Sequence, residues 1–405
     1  MSTVAELMAE LVTEPGRRDP HPRYAALRAH GQVVPAGPGL VAVLGYPETV
    51  RALRDGTLLV QDARDRDRAS PGWRAHSSLR RFTDSMLYAN PPHHTRLRKM
   101  VMNVFTARRI AGMRPVVERM TDALLDRLAE RDGPVDFMTE FAFRLPVAVI
   151  GALLGVPERD QAWFREVAAE ATYALEGTNP DRLARADTAT DALTGYFDEQ
   201  INMRRRQPTD DLLGRLFAIH LAEPALFSYD ELLGNLVLLL VAGFDTTTNL
   251  LGHGLRIALA MPHVAARLRD DGDEFAADFV TEVLRMEPPV QATSRWAAAE
   301  LRLGGVPVSA GDKVLLVLAA ANRDPRRYPD PDRFDPTRPD NKPLTFGGGI
   351  HLCLGATLAR LEGRVALPML LRRFPDLATA GPVAVRDRLV VPGLERLPIV
   401  LRGPA

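Results

Sequence analysis

The residue types that are rare in this chain limit the classes of protein to which it can belong. Its 405 residues include a single cysteine, Cys353, which excludes an internal disulfide and the zinc and iron–sulfur sites that need several thiolates. Basic and acidic residues number 51 each, so the formal net charge is zero. This balance gives no electrostatic reason to expect nucleic acid or an anionic membrane as a partner.

Segments that would target or divide the chain are also missing. Residues 1–15 contain neither a basic leader nor an apolar run of signal-peptide or anchor length. Together with the lone cysteine, this predicts a cytoplasmic protein in a reducing compartment. Hydrophobic residues make up 46% and charged residues 25%, as in ordinary globular proteins, and no linker or low-complexity tract interrupts them. We therefore expect a single domain over residues 1–405.

Helical spacing dominates what is present. Apolar residues recur three and four positions apart through most of the first 290 residues. Gly234 and Asn235 interrupt the apolar run of the longest predicted helix, so we interpret that helix as a buried core helix that crosses a domain and not as a membrane span. The architecture is predicted to be mainly α-helical. The clearest predicted helices are 116–128, 137–154, 192–206 and 228–260.

Strand-like segments are short and lie near the two ends of the chain, which predicts small peripheral sheets. Two stretches, 55–90 and 322–343, give neither a helix nor a strand prediction, and loops of this length in a compact domain are functional or well pinned. The predicted strands are 40–44, 301–303, 306–308, 314–317, 389–391 and 398–401.

The most informative segment is 346–355, Phe-Gly-Gly-Gly-Ile-His-Leu-Cys-Leu-Gly. A free cysteine is usually a buried small hydrophobe, and a nucleophile is a second alternative. The glycines, however, have no Cβ atoms, so a flat and bulky group could approach the backbone closely. A helix beginning near Leu354 would supply N–H donors to a thiolate. The pattern therefore favours Cys353 as a metal ligand against a macrocycle.

This segment resembles the haem-binding loop of the cytochrome P-450 haem-thiolate monooxygenases, with Phe, Gly, Gly, His, Cys and Gly at matching places. The resemblance implies that the cofactor is haem b and that Cys353 is the proximal ligand of its iron. It also implies that Phe346 packs beneath the haem, with Gly347 and Gly355 beside it.

Residues 242–247, Ala-Gly-Phe-Asp-Thr-Thr, place an acid and hydroxyls within an apolar helix, where an unpaired carboxylate is costly. Thr246 can bond to the Ala242 carbonyl and Gly243 can loosen the same turn, so we expect a local opening of the helix; plain bending is the alternative. The segment resembles the family's oxygen-activation motif. That resemblance implies that Asp245 and Thr246 relay protons, and that Ala242 lies against the haem.

Residues 90–98 begin with Asn90, a good helix N-cap, followed by two prolines. His94 and Arg98 then share one helix face at i, i+4. The segment is similar to the family's C-helix motif, whose His and Arg bind the haem propionates, although Asn90 and His93 replace the usual Asp and Glu. The resemblance adds Arg295 and His351 as propionate contacts. Each is an ordinary surface residue when considered singly, but the set of four favours a dicarboxylate site.

Glu282 and Arg285 are three apart on one predicted helix, a spacing that usually means a surface pair. With the segment 331–336, they resemble the family's buried Glu-Arg-Arg triad, in which Arg333 would be the third member. Its role would be structural, because the triad would lock the segment before the cysteine loop. These motifs and 321–325 occur in the family's order from about residue 20 onward. The implied fold is the family's single-domain, α-rich triangular prism with small peripheral β-sheets.

The resemblance implies a soluble bacterial, actinobacterial-type monooxygenase. Such an enzyme uses O2 and two electrons from NAD(P)H, passed through a reductase and a ferredoxin, to hydroxylate or epoxidise an apolar small molecule. We expect a monomer. A basic docking face for an acidic ferredoxin is predicted at Arg109, Arg360 and Arg364, and solvated helix faces are the alternative.

Substrate contacts are predicted from the family's recognition segments, and the same residues are compatible with plain core. Their aliphatic character favours a polyketide, macrolide, terpenoid or cyclic peptide of secondary metabolism, as in antibiotic biosynthesis. Two alternatives stay open: a haem-thiolate enzyme that performs oxidative C–C, C–N or phenol coupling, and a haem-binding protein without turnover. The predicted pocket residues are Met86, Leu87, Leu238, Val241, Ala242, Val290, Ala292, Thr293 and Pro392.

Overall fold

One long helix organises the computed structural model, which describes residues 2–175, 179–388 and 391–402. The helix spans Tyr229–Ala260. It begins with a capping box, because Ser228 Oγ accepts the Glu231 N–H (3.2 Å) and Glu231 Oε2 accepts the Ser228 N–H (2.8 Å). Its length and apolar composition would suffice to cross a membrane, but 78% of its most apolar window is buried inside the protein. The prediction of a core helix is confirmed.

The described chain is mainly helical, as predicted. The predicted helix 137–154 is divided into a π-helical turn at Met138–Ala142 and a helix from Arg144, because Pro146 has no N–H to donate one turn back. In chain order the helices are α1 (Val4–Leu11), α2 (Glu14–Arg18), α3 (His21–His30), α4 (Tyr46–Arg54), α5 (Ala63–Ala69), α6 (Ser77–Thr83), α7 (His93–Met102), α8 (Ala107–Ala111), α9 (Arg114–Ala129), α10 (Arg144–Leu154), α11 (Gln161–Ala171), α12 (Pro180–Arg206), α13 (Leu212–Ala222), α14 (Tyr229–Ala260), α15 (Pro262–Asp270), α16 (Gly272–Met286), α17 (Leu318–Ala321) and α18 (Ala356–Arg373).

The core forms where α18 packs along α14. Small residues allow this approach: a Cβ on Gly254 would lie 2.7 Å from Leu367, and a Cβ on Gly363 would lie 3.3 Å from Leu250. Helices α9, α15 and α16 cover the other sides of α18, and α6 and α10 pack against α14. This packing leaves the start of α18, just after Cys353, at the edge of the helical core.

The strands form small sheets, as predicted. The largest sheet has the order β1-β2-β8-β5-β3, with β2 and β8 parallel and its other pairs antiparallel. A second sheet has the order β4-β12-β9, and β6–β7 and β10–β11 are two-stranded ribbons. The strands are β1 (Val33–Gly37), β2 (Leu40–Val43), β3 (Leu58–Leu59), β4 (Val135–Asp136), β5 (Thr293–Ala297), β6 (Leu301–Leu303), β7 (Val306–Val308), β8 (Lys313–Leu316), β9 (Ala378–Thr379), β10 (Ala384–Val385), β11 (Leu394–Arg396) and β12 (Pro398–Val400).

The two stretches without a predicted element differ. The stretch 322–343 contains no α-helix or β-strand, whereas 55–90 contains β3, α5 and α6, so the expectation of one long loop was wrong there. The short helices depend on caps and distant contacts: Asp62 Oδ1 accepts the Arg64 N–H (2.9 Å), and Asp187 Oδ1 accepts the Ser78 N–H (2.9 Å). Most of the predicted strand 389–391 lies outside the described residues.

Candidate active site

Cys353 lies in a tight turn before α18. Its N–H donates to the Phe346 carbonyl (2.9 Å), and the Leu352 N–H donates to the Gly349 carbonyl (3.2 Å). The helix begins at Ala356, two residues later than predicted. The backbone N–H groups of Gly355 and Ala356 hydrogen-bond to the thiol, so the sulfur lies at the N-terminus of a helix of 18 residues.

The environment of the thiol combines burial with access. Surrounding protein raises the pKa of the Cys353 thiol, while the two N–H donors and the charges of Arg98 and Arg360 act in the opposite direction. The cysteine is nevertheless exposed by its accessible surface. Both observations hold if the sulfur faces a recess in the protein, because a side chain deep among protein atoms keeps accessible surface only there.

The glycines around the cysteine have two different roles. Gly349 has φ +64°, and its Cβ would lie 2.1 Å from the Leu53 carbonyl at the end of α4; Gly348 also packs on Leu53. Gly347 and Gly355, by contrast, leave open space, since a Cβ on either would have no neighbour closer than 3.9 Å. The expectation that each glycine leaves space for a flat group is therefore correct for Gly347 and Gly355 and wrong for Gly348 and Gly349.

The side chains of two arginines and two histidines converge beside the cysteine turn. His94 and Arg98 extend from one face of α7, as predicted, Arg295 from β5, and His351 from the turn itself. The His94 and His351 rings are 4.3 Å apart, and Arg98 Nη2 donates to the Leu352 carbonyl (2.7 Å). Within the described part of the chain, no carboxylate forms an ion pair with any of the four.

The two arginines of this cluster are cationic, whereas its two histidines are neutral near pH 7. Burial and the Arg98 charge lower the pKa of His94 to about 4, and burial with the neighbouring His94, Arg295 and Arg98 lowers that of His351 to about 3. Both ring nitrogens of His94 are buried and have no hydrogen-bond partner in residues 2–175, 179–388 and 391–402. Two arginines without a carboxylate partner among the described residues and two imidazoles that can donate ring N–H groups, next to an accessible thiol, fit the two carboxylates of a haem.

Asn90 does not cap α7, contrary to the prediction. Its side chain exchanges two hydrogen bonds with the Val60 backbone (3.0 and 2.9 Å), so it is occupied in fixing the segment after β3. Pro92 holds the cap position, and α7 starts at His93. The Asn90 carbonyl still accepts the His94 N–H (2.9 Å), which orients the first turn of the helix.

Near its middle, the helix α14 carries the acid Asp245 and the hydroxyl of Thr246. Thr246 Oγ1 donates to the Ala242 carbonyl (3.0 Å), as expected. The expected local opening is absent, because α14 is a continuous α-helix through these residues, and Gly243 instead admits Ile150 of α10. Ala242 is exposed although most of α14 is buried, which is the accessibility expected of a residue that lines an internal recess.

Asp245 is 2% exposed and paired with a residue that sequence reasoning missed. Arg386, in the loop after β10, donates from Nη1 to Asp245 Oδ1 (2.7 Å) and from Nη2 to Asn249 Oδ1 (3.0 Å). Among the described residues, Asp245 Oδ2 has no hydrogen-bond partner. The one available signal was the cost of burying a carboxylate, which requires a cation nearby but does not say where in the sequence it is.

The buried triad has a different third member from the predicted one. Glu282 and Arg285 form a bidentate pair (2.7 Å for each bond) that is fully buried. Arg338 completes it, because its Nε lies 3.1 Å from Glu282 Oε1 and its side chain is 8% exposed. Arg333 was the wrong choice: its side chain is 69% exposed and pairs with Asp335. The turn presents the carbonyl of Arg333 to the interior, where Arg285 (3.2 Å) and Arg338 (2.8 Å) donate to it.

The predicted pocket residues lie on four separate segments. Met86 and Leu87 occupy the short turn before α7, and Asn235 of α14 accepts the Met86 N–H (3.2 Å), which ties that turn to α14. Leu238 and Val241 are buried on α14 itself. The remaining four are half-buried or buried beyond α16, in and near the strands: Val290, Ala292, Thr293 and Pro392.

The three arginines predicted to form a docking face are all engaged within the protein. Arg360 lies over the Phe346 ring (4.4 Å to its centre), and Arg364 pairs with Asp273 (2.9 Å). Arg109 donates to the Asp210 carbonyl (2.7 Å). The surface next to the cysteine turn is instead marked by exposed apolar side chains, namely Met102, Ile350 and Leu352.

Comparisons with known proteins agree with this geometry. The family model described as Cytochrome P450 matches residues 179–378. The chain is 40% identical to cytochrome P450 monooxygenase PikC of Streptomyces venezuelae, covering 94% of this chain and 91% of that protein. It is 37% identical to 6-deoxyerythronolide B hydroxylase of Saccharopolyspora erythraea, covering 94% and 95%.

A solved structure gives the same result for the fold. The myxobacterial cytochrome P450 CYP267B1, in complex with myristic acid, superposes with a TM-score of 0.87 at 35% identity, covering 98% of this chain and 99% of that one. Sequence and fold therefore agree over nearly the whole length, and the chain belongs to the cytochrome P450 family of haem-dependent monooxygenases.

Proposed function

We propose that this monooxygenase uses Cys353 as the thiolate ligand and inserts one oxygen atom into a sizeable apolar molecule by hydroxylation or epoxidation. The observation that carries the proposal is the accessible thiol at the N-terminus of α18, next to two arginines and two histidines without a carboxylate partner among the described residues. When bound, haem supplies the activation of O2. For hydroxylation, the balance is one C–H bond, O2, two electrons and two protons giving C–OH and water.

The residues around the thiol would orient the cofactor. His94, Arg98, Arg295 and His351 would bind its two propionates, since their guanidinium and imidazole N–H donors converge at the site. Gly347, Gly355 and Ala242 leave accessible space near the sulfur and on α14, as close approach to a flat ring requires. Phe346, stacked under Arg360, would support the thiolate side.

The acid and hydroxyl of α14 would handle protons. Thr246 Oγ1 is anchored on the Ala242 carbonyl, and Asp245 is the carboxylate in the neighbouring position of the same turn. A buried acid next to a hydroxyl can pass protons inward while the surrounding apolar residues limit water. We assign Asp245 and Thr246 the role of delivering the two protons that the reaction consumes.

The substrate class is argued from the predicted pocket. Met86, Leu87, Leu238, Val241 and Val290 offer aliphatic surface and no charge, which favours an apolar ligand. The relative that acts on 6-deoxyerythronolide B by hydroxylation has the same fold family and nearly the same length. We propose a secondary-metabolite substrate of that size, of the polyketide or macrolide class, in antibiotic biosynthesis.

Electrons would come from NAD(P)H through a reductase and a ferredoxin. The docking face that we propose differs from the sequence prediction: it combines the exposed apolar residues Ile350 and Leu352 of the cysteine turn with Lys99 and Arg108, two exposed cations of α7 and α8. Charge attracts an acidic ferredoxin and apolar contact holds it. The proposal includes a monomeric enzyme in the cytoplasm.

An optical titration tests the function. Purified ferric protein is titrated with macrolides, linear polyketides, terpenoids, steroids and cyclic dipeptides while the Soret band is followed. We expect a shift towards high spin with a macrolide or polyketide, followed by an oxygenated product when ferredoxin, reductase and NAD(P)H are added. Binding without any oxygenated product would contradict the monooxygenase proposal, and a shift only with another class would contradict the proposed substrate.

A second measurement tests the ligand. The Cys353→Ala protein, reduced under carbon monoxide, should lose the red-shifted Soret band that a thiolate ligand gives. Thr345→Ala, which changes a neighbouring residue that is not a proposed ligand, is the matched control and should keep the band. An unchanged band in Cys353→Ala would overturn the assignment.

A further inference from the structure

We propose that Arg386 is the positioning residue of Asp245: it fixes one carboxylate oxygen, so that the other oxygen is the one that exchanges protons. The inference rests on the proposed proton-handling role of Asp245 and deepens it. Nothing in the motif around Asp245 points to this partner, which lies 141 positions later in the sequence.

The geometry is that of a clamp across one turn of α14. Arg386 Nη1 bonds to Asp245 Oδ1 (2.7 Å) and Nη2 to Asn249 Oδ1 (3.0 Å), and these two acceptors are one helical turn apart. The Asp245 side chain is 3% exposed and that of Arg386 13% exposed, so solvent screens the pair little. Asn249 holds the guanidinium in the orientation that serves Asp245 Oδ1.

The two oxygens of the carboxylate are therefore not equivalent. Oδ1 receives a charged donor, whereas Oδ2 is buried and has no hydrogen-bond partner in the part of the chain that the structure describes. A carboxylate fixed through one oxygen cannot rotate to exchange the two without breaking the ion pair. Asp245 Oδ2 is then the atom that accepts a proton and passes it onward into the site, on the turn of α14 that also carries Thr246.

The loop that carries Arg386 is itself tied down on both sides. Arg388 donates to Thr172 Oγ1 and to the Ala169 carbonyl (3.1 Å) at the end of α11, and its guanidinium lies 3.8 Å from the centre of the Tyr173 ring. Asp387 accepts from Arg17 Nε (2.7 Å). Arg386 is thus delivered to Asp245 by a backbone that has separate anchors in the N-terminal region and in the helices beyond α10.

The end of the same loop, at Gly393, also packs against the clamp formed by Arg386, Asp245 and Asn249. The Arg386 N–H donates to the Gly393 carbonyl (2.8 Å). Gly393 has φ +159°, and a Cβ there would lie 1.8 Å from Asn249 Oδ1, so only glycine fits. The loop backbone therefore contacts Asn249 at Gly393 and holds Arg386 through its N–H, which preorganises the arginine before any proton moves.

The experiment compares Arg386→Gln, Arg386→Lys, Asp245→Asn and the double variant Asp245→Asn/Arg386→Gln. The matched control is Arg396→Gln, an exposed arginine on the adjacent strand β11. Because proton delivery is also needed when O2 is reduced without substrate, the readout is NAD(P)H oxidation and H2O2 formation with a surrogate ferredoxin and reductase, in H2O and in D2O. Thermal unfolding of each holoprotein is measured in parallel.

We expect Arg386→Gln to slow NAD(P)H oxidation about tenfold and to raise the solvent isotope effect, as Asp245→Asn does. The double variant should be no slower than Asp245→Asn, because both changes remove one function. Arg386→Lys should recover part of the rate, since a cation returns without the second bond to Asn249. The decreases in unfolding temperature of the two single variants should not sum to that of the double variant. This non-additivity detects the ion pair independently of activity. Arg396→Gln should match the wild type.

The outcomes separate the inference from its premise. A wild-type rate and isotope effect in Asp245→Asn would overturn the proposed function of that acid, and the role of Arg386 with it. An altered Asp245→Asn beside a wild-type Arg386→Gln would overturn only the positioning role. Additive losses in rate, or lower unfolding temperatures without any change in isotope effect, would show that Arg386 only stabilises the loop.

Discussion

At the scale of single residues, arginine does work in this protein that lysine could not do. Arg285 donates to both oxygens of Glu282 and to the carbonyls of Asn322 (2.9 Å) and Pro331 (2.7 Å). Arg338 joins the same carboxylate to the carbonyls of the surrounding turn. A planar guanidinium with five donors satisfies several acceptors at once, so a segment without helix or strand is held in one conformation before the cysteine turn.

Replacing the two arginines of this segment separately distinguishes their roles. Arg338→Ala should lower the free energy of unfolding by about 3 kcal/mol, because it leaves part of the buried Glu282 charge uncompensated. Arg333→Ala should change it by less than about 0.5 kcal/mol, since that side chain is exposed. Denaturant unfolding of the two holoproteins measures both values. A larger effect of Arg333→Ala would contradict the corrected triad.

Residue roles were predictable from sequence only where spacing determines geometry. His94 and Arg98 had to share a face once α7 formed, because i, i+4 side chains are neighbours on a helix. The choice between Arg333 and Arg338 depended on which way an irregular turn faces, and spacing does not determine that. Arg386 could not be predicted for the same reason, because its contact with Asp245 is made by a distant loop and leaves no local sequence pattern.

At the scale of elements, glycines control how closely the helices pack. A Cβ on Gly234 of α14 would lie 2.8 Å from the Arg81 carbonyl and 3.2 Å from the Asp84 backbone, at the end of α6. Gly195 of α12 is exposed, and a Cβ there would meet nothing within 4 Å. Gly234 is therefore needed for the close packing of α14 against α6, whereas Gly195 has no packing role in α12.

The pair Gly234→Ala and Gly195→Ala should therefore shift stability in opposite directions. Gly195→Ala should raise the free energy of unfolding by about 0.5–1 kcal/mol through helix propensity alone. Gly234→Ala should lower it by about 1–3 kcal/mol, since backbone atoms of the next element must move. Thermal unfolding of the two variants gives the comparison, and stabilisation by both would mean that α6 can shift without cost.

Elements were predictable in proportion to their own periodicity. The 32 residues of α14 repeat an apolar pattern through many turns, and the helix was recognised with its start one residue away. The seven-residue helices α5 and α6 were missed, because α5 buries no residue and α6 has only Leu79 and Phe82 on its apolar face, too few for a repeating pattern. Asp62 and the distant Asp187 stabilise their first turns instead. The π-helical turn before α10 was also missed, although Pro146 was the available signal.

At the scale of the whole molecule, charged groups around His21 join distant parts of the chain. His21 of α3 lies among groups from the N-terminal region, the end of α16 and the segment that precedes the triad. Burial, then the Arg323 charge, lower the pKa of His21 to about 4, while Glu287, Asp19 and Asp332 act in the opposite direction. The fold therefore keeps this imidazole neutral at pH values where an unfolded chain protonates it.

This difference predicts a pH-dependent loss of stability. Because the folded pKa of His21 is below the ordinary value of 6.5, the unfolded state binds the extra proton as pH falls. Stability should decline from about pH 6.5 to about pH 4, by up to about 3 kcal/mol from this group. His21→Phe should flatten that part of the profile in thermal unfolding, whereas His263→Gln, at an exposed position, should not. Parallel profiles for wild type and His21→Phe would disprove the assignment.

The loop after β10 has a consequence for redesign. It carries Arg386, which bonds to the buried Asp245, and Pro392, which is a candidate wall of the substrate pocket. A library that exchanges this loop as one cassette alters the shape of the pocket and the anchoring of the acid in the same step. A library that varies Pro392 alone leaves the clamp intact. Changing substrate range while keeping electrons directed to product therefore calls for point substitutions in this loop and not for loop swaps.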